Sequence, residues 1–355
     1  MNGDPKGHEL LGQRIGLARE AVFGLLNAPG MAPLELSGAG VVATGVGSSE
    51  AHARFLVGLL NAHTSIPAEF VSLSSFDGPG IRTEWRRART LVVFSQGLAP
   101  NARLALDRVE DFAGCVLVTA ATVEGQERSG RRDRAGLLRR LERGGVRVER
   151  IPMEDEYTLL VRVIGPACGF AAALRLVAAV PGNGLGPVSA LIQPLQSVAE
   201  GPWPGRVTAW MDQSVGRGEG DCVLVLPPGL AGFAQNLSAK FVEGLYGSPP
   251  RIVETLELAH GTFQQLMARR VPVWVLGSDP LSIRARDMLG AAGLAPVHVP
   301  LEVPGEAMPL AAEFLFNPAL AHWARELDRD LVNWPGKGLD GALYNYTGPS
   351  PEGAG

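Results

Sequence analysis

The sequence predicts an α/β protein with mostly parallel sheets, laid out as two domains of one plan. Three observations carry this expectation. Short β-branched apolar runs alternate with segments of helical periodicity, the pattern of parallel strands joined by crossover helices. These runs recur at one constant offset along the chain. The composition, 46% apolar and 19% charged over 355 residues, supplies enough chain for about two domains with buried cores.

In order, "GVVATGVG" (Gly40 to Gly47) reads as a buried strand ending in a glycine turn, and "SEAHARFLVGLLNAH" as the helix behind it. "AEFVSLS", "TLVVFSQ" and "CVLVTAA" follow as strands, with a helix from about Pro100. The second series opens on "DCVLVLPPG" and runs through "AGFAQNLSAKFVEGLYG", "RIVETLE", "PVWVLGSD", a helix from about Leu281, and "PVHVPLE". An offset of 182 residues carries Gly47 onto Gly229, Pro67 onto Pro249, Val71 onto Val253, Thr90 onto Pro272 and Gly114 onto Pro296. Few side chains match, but four elements share one register without a gap, which indicates a duplicated unit. The expected divisions are an N-terminal helix within 1–27 (His8 to about Asn27), a first domain at 28–185, a second at 206–330 and a tail at 331–355. The Gly/Pro-rich stretch Val180 to Gly205 separates the domains, and a helix from about Leu310 to Leu327 closes the second.

Charge and cysteine usage exclude several functions. A net charge of −4 favours neither nucleic acid nor an anionic membrane as partner. The one basic stretch holds Arg131, Arg132, Arg134, Arg139, Arg140 and Arg143, interleaved at helical spacing with Leu137, Leu138 and Leu141. It reads as the solvated face of an amphipathic helix. Cys115, Cys168 and Cys222 lie in apolar runs without metal-ligand spacing, as buried thiols of a cytoplasmic protein do. The first residues lack the apolar core of a signal peptide. The longest apolar stretch, "LLVRVIGPACGFAAALRLVAAV", is interrupted by Arg162, Gly165, Pro166 and Arg175, so it reads as a buried helix rather than a membrane span.

Three segments could carry chemistry. "ATGVGSSEAH" places Gly45, Gly47, Ser48 and Ser49 between a strand and a helix. Glycine lets backbone approach a ligand there, and the helix start offers free N–H groups to a phosphate or sugar oxygen. A serine capping its own helix explains the same residues. Glu50 stands where a dinucleotide fingerprint needs its last glycine, with Ala51 and His52 following, so a dinucleotide cofactor is not expected. "VVFSQGLAPNAR" sets Ser95 and Gln96 at the carboxyl end of the next core strand, where open α/β sheets bind ligands. "AKFVEGLYGSPPRIVETLELAHGT" puts Lys240 and Glu243 on one helical face, with Glu257 and His260 further on. Carboxylate, imidazole and amine in one region are what proton transfer at neutral pH requires. A plain Lys240–Glu243 salt bridge and a capping His260 would look the same in sequence.

These motifs in this order resemble the sugar isomerase (SIS) domain proteins, over roughly residues 15 to 340. The likeness is to the isomerase half of glucosamine-fructose-6-phosphate aminotransferase and to its amino-sugar isomerase, deaminase and deglycase relatives. It implies two tandem three-layer αβα domains, each around a central, mostly parallel sheet. Gly47, Ser48 and Ser49 match the family's Gly-Thr-Ser loop, and Ser95 and Gln96 match the start of its Ser-Gln-Ser-Gly-Glu-Thr loop; both hold the sugar phosphate. Gly97, Leu98, Ala99 and Pro100 depart from that second loop and remove two hydroxyls, for which Arg103 is a candidate replacement. The family's Ser/Thr-rich turn before the long helix of the first half is reduced to Thr158. Lys240 and Glu243 fall on the family's K-x-x-E, whose glutamate moves a proton between C1 and C2. "ELAHGT" falls on Glu-Leu-Lys-His-Gly-Pro, so His260 takes the role of the histidine that assists ring opening. "ELDRDLVNWPGKG" resembles the closing tail, whose lysine aligns with Lys337 and closes over the substrate.

Lysine usage bears on the same residues. Of 32 cationic side chains all but Lys6, Lys240 and Lys337 are arginine, and both lysines in the body of the chain fall on site positions of the family. A guanidinium cannot serve as an imine-forming amine. The resemblance implies an aldose–ketose type isomerase or deaminase for sugar phosphates or amino-sugar phosphates, a homodimer with its sites near the interface, and no metal or cofactor. Two alternatives stay open: a relative acting on a non-phosphorylated substrate, and a non-catalytic sugar-phosphate sensor. The extension "LYNYTGPSPEGAG" has no family counterpart and is expected to be a simple disordered end.

Overall fold

Four-residue runs such as Val-Val-Ala-Thr, apolar on both faces, suit strands covered by helices above and below. The computed structural model describes residues 4–77, 83–152, 156–214 and 222–348. Its strands are β1 (Val41–Thr44), β2 (Ala68–Phe70), β3 (Thr90–Phe94), β4 (Gly114–Thr119) and β5 (Arg147–Arg150) in one sheet, and β6 (Val223–Leu226), β7 (Arg251–Glu254), β8 (Val273–Leu276) and β9 (Val297–Val299) in the other. Every pairing is parallel. The α/β class with parallel sheets is therefore the one the sequence predicts.

The strand orders are β2-β1-β3-β4-β5 and β7-β6-β8-β9. The offset of 182 residues carries β1 onto β6 residue for residue, and β3 and β4 onto runs containing β8 and β9. Only β5, the edge strand, lacks a counterpart among the described residues. In both sheets the order reverses beside the first strand. The crossovers there leave in opposite directions, and a crevice opens above the carboxyl ends of β1 and β3, or of β6 and β8.

The helices are α1 (His8–Asn27), α2 (Ser48–His63), α3 (Thr83–Arg87), α4 (Arg103–Leu106), α5 (Val123–Arg128), α6 (Arg132–Arg143), α7 (Ile164–Ala178), α8 (Ile192–Glu200), α9 (Trp203–Ser214), α10 (Ala231–Leu245), α11 (Thr262–Arg269), α12 (Pro280–Ala291), α13 (Met308–Glu326) and α14 (Gly341–Tyr344). They divide between two compact units. One comprises 1–26, 155–167 and 189–334; the other comprises 27–154, 168–188 and 335–355.

The unit around the first sheet packs Val42, Leu91, Val93 and Leu117 against Leu98, Leu137, Leu138 and Leu141. The basic stretch is thus α6 and its N-cap Arg131, with its leucines buried, Arg132, Arg140 and Arg143 outward, and Arg134 and Arg139 half-buried. Arg139 pairs with Glu127 and Arg140 with Asp107. The unit around the second sheet packs Val223, Val225, Val273 and Val275 against Leu258, Leu266 and Leu289. Here α7 begins without a serine or threonine turn. The fully buried Glu156 accepts instead from the N–H groups of Val163, Ile164 and Gly165, at 2.9, 2.7 and 2.7 Å, satisfying donors every helix start leaves open. All three cysteines are buried and free. Burial pushes the Cys115 thiol up to about 12, so it stays protonated and unreactive.

Candidate functional site

At the switch point of the first sheet, β1 runs into Gly45-Val46-Gly47 and then α2. A Cβ on Gly45 would lie 2.5 Å from the carbonyl oxygen of Ser49, so only glycine permits this turn. Gly47, at φ +62°, is the N-cap and provides no side-chain bond. The serines are therefore not explained as caps of their own helix. Ser48 sits half-buried at the first helical position, and its Oγ meets Gln96 Nε2 at 3.3 Å. Ser49 is buried beneath it. The two loops singled out in sequence thus meet within this unit.

The loop after β3 is held by its own bonds. The Gln96 carbonyl accepts from Ala120 N–H at 2.8 Å and from the Thr119 hydroxyl at 3.1 Å. Ser95 Oγ accepts from Ala99 N–H at 3.2 Å, so this hydroxyl closes the turn. Leu98 adopts φ +53° and is 1% exposed. A left-handed leucine costs about 1–2 kcal/mol, which its burial in the core beneath the loop offsets. Packing thus replaces the hydroxyls that Gly97 to Pro100 lack.

Arg103 is not the cation that serves this loop. Its Nε pairs with Asp107 at 3.1 Å, one turn further along the chain. The guanidinium that reaches the loop belongs to Arg134, whose Nη1 donates to the Gly97 carbonyl at 3.1 Å. Sequence reasoning placed Arg134 only on a basic helix face. Its position in the first turn of α6, which follows the carboxyl end of β4 by way of the short α5, is the signal that singles it out.

In the same unit Lys337 is exposed between Gly336 (φ +74°) and Gly338 (φ +82°). The extension after it is not a loose end as far as Gly348. α14 lies against the turn Pro100–Ala102, and the Tyr346 hydroxyl donates to Asp77 Oδ2 at 2.7 Å. Residues 349–355 lie outside the described residues.

In the other unit α10 carries Asn236, Lys240 and Glu243 on one face. Lys240 is 3% exposed, with Nζ 3.1 Å from Oε2 of Glu313 on α13 and 3.3 Å from the Arg162 carbonyl. Glu313, wholly buried, also accepts from Asn317 at 2.9 Å and from Asn236. The lysine pairs across two helices, and the Lys240–Glu243 bridge that sequence allowed does not form. Glu243 is half-buried. Burial raises its carboxyl above the ordinary range, while the positive charges of Arg162 and Lys240 pull it back in part. The Arg162 guanidinium packs over the Tyr157 ring, 4.6 Å from its centroid.

Arg162 and Glu313 were not read as site residues from sequence. A cation inside one apolar stretch and a carboxylate inside another were the available signals. His260 is exposed at the end of the short turn Glu257–Ala259, and its backbone N–H donates to the Glu257 carbonyl at 2.9 Å. Gly261, at φ +93°, then starts α11. No hydrogen bond or ion pair joins His260 to Lys240 or Glu243.

Two parallel sheets of closely related strand order make up an SIS sugar-isomerase fold, shared with solved structures similar to this chain. The C-terminal domain of glucosamine-fructose-6-phosphate aminotransferase from Francisella tularensis superposes with a TM-score of 0.70 at 12% identity, over 92% of this chain and 98% of that one. Glucosamine-6-phosphate deaminase from Thermotoga maritima gives 0.67 at 14% identity, over 92% and 97%. Tagatose-6-phosphate ketose/aldose isomerase from Escherichia coli gives 0.58 at 15% identity, over 91% and 90%. At such identities the likeness establishes the fold. No family model matches the chain, and no curated protein matches it by sequence. Among the described residues no helix is long and apolar enough to cross a membrane.

Proposed function

We propose that this protein is a sugar-phosphate or amino-sugar-phosphate isomerase or deaminase, transferring a proton between C1 and C2 of an open-chain substrate. The observation that carries the reading is Glu243, a half-buried carboxylate made more basic by desolvation and faced by Arg162 and Lys240. A general base is most effective when its pKa lies near the working pH. In this reading Glu243 takes the proton from C2. The C–H electrons form the C1–C2 double bond, and the C1 carbonyl oxygen takes up the negative charge as an enediolate or, for an amino sugar, the corresponding enamine. Return of the proton to C1, with the C2 hydroxyl or amino proton passing to O1 as C2=O or C2=NH forms, completes the isomerisation; in the deaminase case water then adds to the C2 imine and ammonia leaves.

Gly47, Ser48, Ser49, Ser95 and Gln96 hold phosphate or sugar oxygens in this reading. Lys240 steadies the charge around the base, the exposed imidazole of His260 opens the ring, and Lys337 offers its amine over the substrate. Glucosamine-6-phosphate deaminase and tagatose-6-phosphate ketose/aldose isomerase, among the structural neighbours, take 6-phosphorylated sugars, which supports this substrate class. The same reading makes the protein a cytoplasmic homodimer.

The decisive experiment incubates the protein with hexose phosphates in D2O, with and without a 2-amino group, and follows C2 proton exchange by NMR. Exchange is expected, and Glu243→Gln should slow it by about 10²–10⁴-fold. Exchange that survives Glu243→Gln removes Glu243 as the base. A second reading, a sensor or a relative with a non-phosphorylated substrate, is favoured by one feature: Leu98, Ala99 and Pro100 offer no side-chain hydroxyl beside Gln96. Sugar binding without exchange would select it.

A further inference from the structure

The crevice above β1 and β3 holds unused polar capacity. Gln96 is 5% exposed, its Nε2 reaches Ser48 at the start of α2, and its Oε1 has no partner. Thr44, the last residue of β1, is fully buried, and its Oγ1 is also without a partner. A buried polar atom left unpaired costs about 1–3 kcal/mol, so the Gln96 carboxamide, at the switch point beside Ser48, has capacity for a further partner. Ser48 Oγ can donate as well as accept. The Gln96 carboxamide can therefore turn over, keep that bond and present its NH2 to an acceptor. The start of α2, sixteen residues long, adds free N–H groups and the positive end of the helix dipole.

Arg134 reaches the same loop from α6. It is half-buried and holds the Gly97 carbonyl through Nη1 alone, and among the described residues no carboxylate lies within ion-pair distance of it. Arg103 and Arg140 share the single carboxylate of Asp107, and Arg139 pairs with Glu127. A guanidinium has five donors in a rigid fork, and among the described residues one of them is engaged.

We infer that Arg134 is the anion-recognition residue of this crevice, supplying from α6 the donors and charge that the hydroxyl-free loop 97–100 cannot, and that the ligand is therefore phosphorylated. The inference rests on the reading of the Ser48–Gln96 crevice as the sugar site. Of the substrate classes in the two readings above, it selects a phosphate ester as the one to be tested.

The test uses the full chain and three probes: inorganic phosphate, a hexose 6-phosphate and the parent hexose, each titrated calorimetrically at low and high salt. The wild type should bind the phosphate ester in preference to the parent hexose, with inorganic phosphate competing and salt weakening both anions. Arg134→Gln should weaken the ester about 10- to 100-fold, the range of one charge-assisted hydrogen bond, and leave the parent hexose unchanged; Arg134→Lys should restore part of the loss. A residue that only shapes the loop would weaken ester and hexose alike, and that result overturns the inference. Equal ester affinity in wild type and Arg134→Gln, or no phosphate binding by the wild type, overturns it as well. Failure of the isomerase reading shows differently: Arg134-dependent phosphate binding with no C2 exchange would leave an anion site without that chemistry, and C2 exchange indifferent to Arg134 would leave the chemistry without this anchor.

Discussion

Lys240 and Glu313 form an ion pair exposed by 3% and 0%, with 3.1 Å between Nζ and Oε2. At an effective dielectric constant of about 20, two unit charges at that separation attract by about 5 kcal/mol. Lys240→Met removes the cation and leaves a buried carboxylate with only the amides of Asn236 and Asn317. Breaking one side of such a pair costs about 3–5 kcal/mol. Glu313→Gln strands the lysine instead, with the Arg162 carbonyl as its remaining partner, and should cost a similar amount. The double variant Lys240→Met/Glu313→Gln carries no buried charge at either position, so it should lose much less than the two single costs together, with a coupling energy of about 3 kcal/mol. Urea unfolding at pH 7 followed by tryptophan fluorescence reads this directly, because five of the six tryptophans lie in the unit that holds the pair. A cost below about 1 kcal/mol for Lys240→Met, or a coupling below about 0.5 kcal/mol, would refute the buried pair as the organiser of α10 against α13. Glu243 provides a second readout. Lys240 lowers its pKa, so Lys240→Met should move the acid limb of C2 exchange to higher pH, and Glu313→Gln, which unbalances the lysine, should move it lower. The folded chain binds the Glu243 proton more tightly than the unfolded chain does. Its contribution to stability is therefore full below about pH 4, under the ordinary carboxylate pKa, and lost as the pH rises through the folded value.

Arg162→Gln, which removes the larger of the two charges opposing desolvation, should also raise the Glu243 pKa and shift the acid limb of the exchange profile upward; an unmoved limb would show that Arg162 does not act on the base. Gly45→Ala would press a methyl group into the Ser49 backbone. It should displace the start of α2 and weaken hexose phosphate binding by more than about tenfold, at a stability cost of about 1–3 kcal/mol, and calorimetric titration with wild-type affinity would contradict the geometry drawn for this turn. Gly169→Ala would place its Cβ inside the ring of the fully buried His52; chemical denaturation should show a loss of about 1–3 kcal/mol or more, and an unchanged midpoint would mean that α2 and α7 pack less closely.

Much of the fold was legible because it depends on local pattern. The runs at Val41, Thr90 and Val223 carry strand signals within a few residues, and the constant offset exposes the repeat even where side chains differ. The helix expected from His8 to Asn27 forms over that span, and the leucines among the arginines of α6 mark its buried face. The candidate site was legible only in part. Gly47, Ser48, Ser95 and Gln96 could be named because a strand end followed by a glycine turn is a local feature. Lys240 and Glu243 could be named because three residues make nearly one helical turn. Their partners could not be read in the same way. Lys240 finds Glu313, 73 residues further along the chain, rather than the neighbour its spacing offered. Arg134 rather than Arg103 reaches the loop after β3, and Tyr346 ties down a tail that composition marked as loose. The sequence by itself determined which segments become strands and helices and how often the plan repeats, because backbone preference and periodicity act over a few residues. Tertiary structure decided which charge neutralises which, and which guanidinium is left without a counter-charge, because those depend on helix faces that meet only after distant segments have packed.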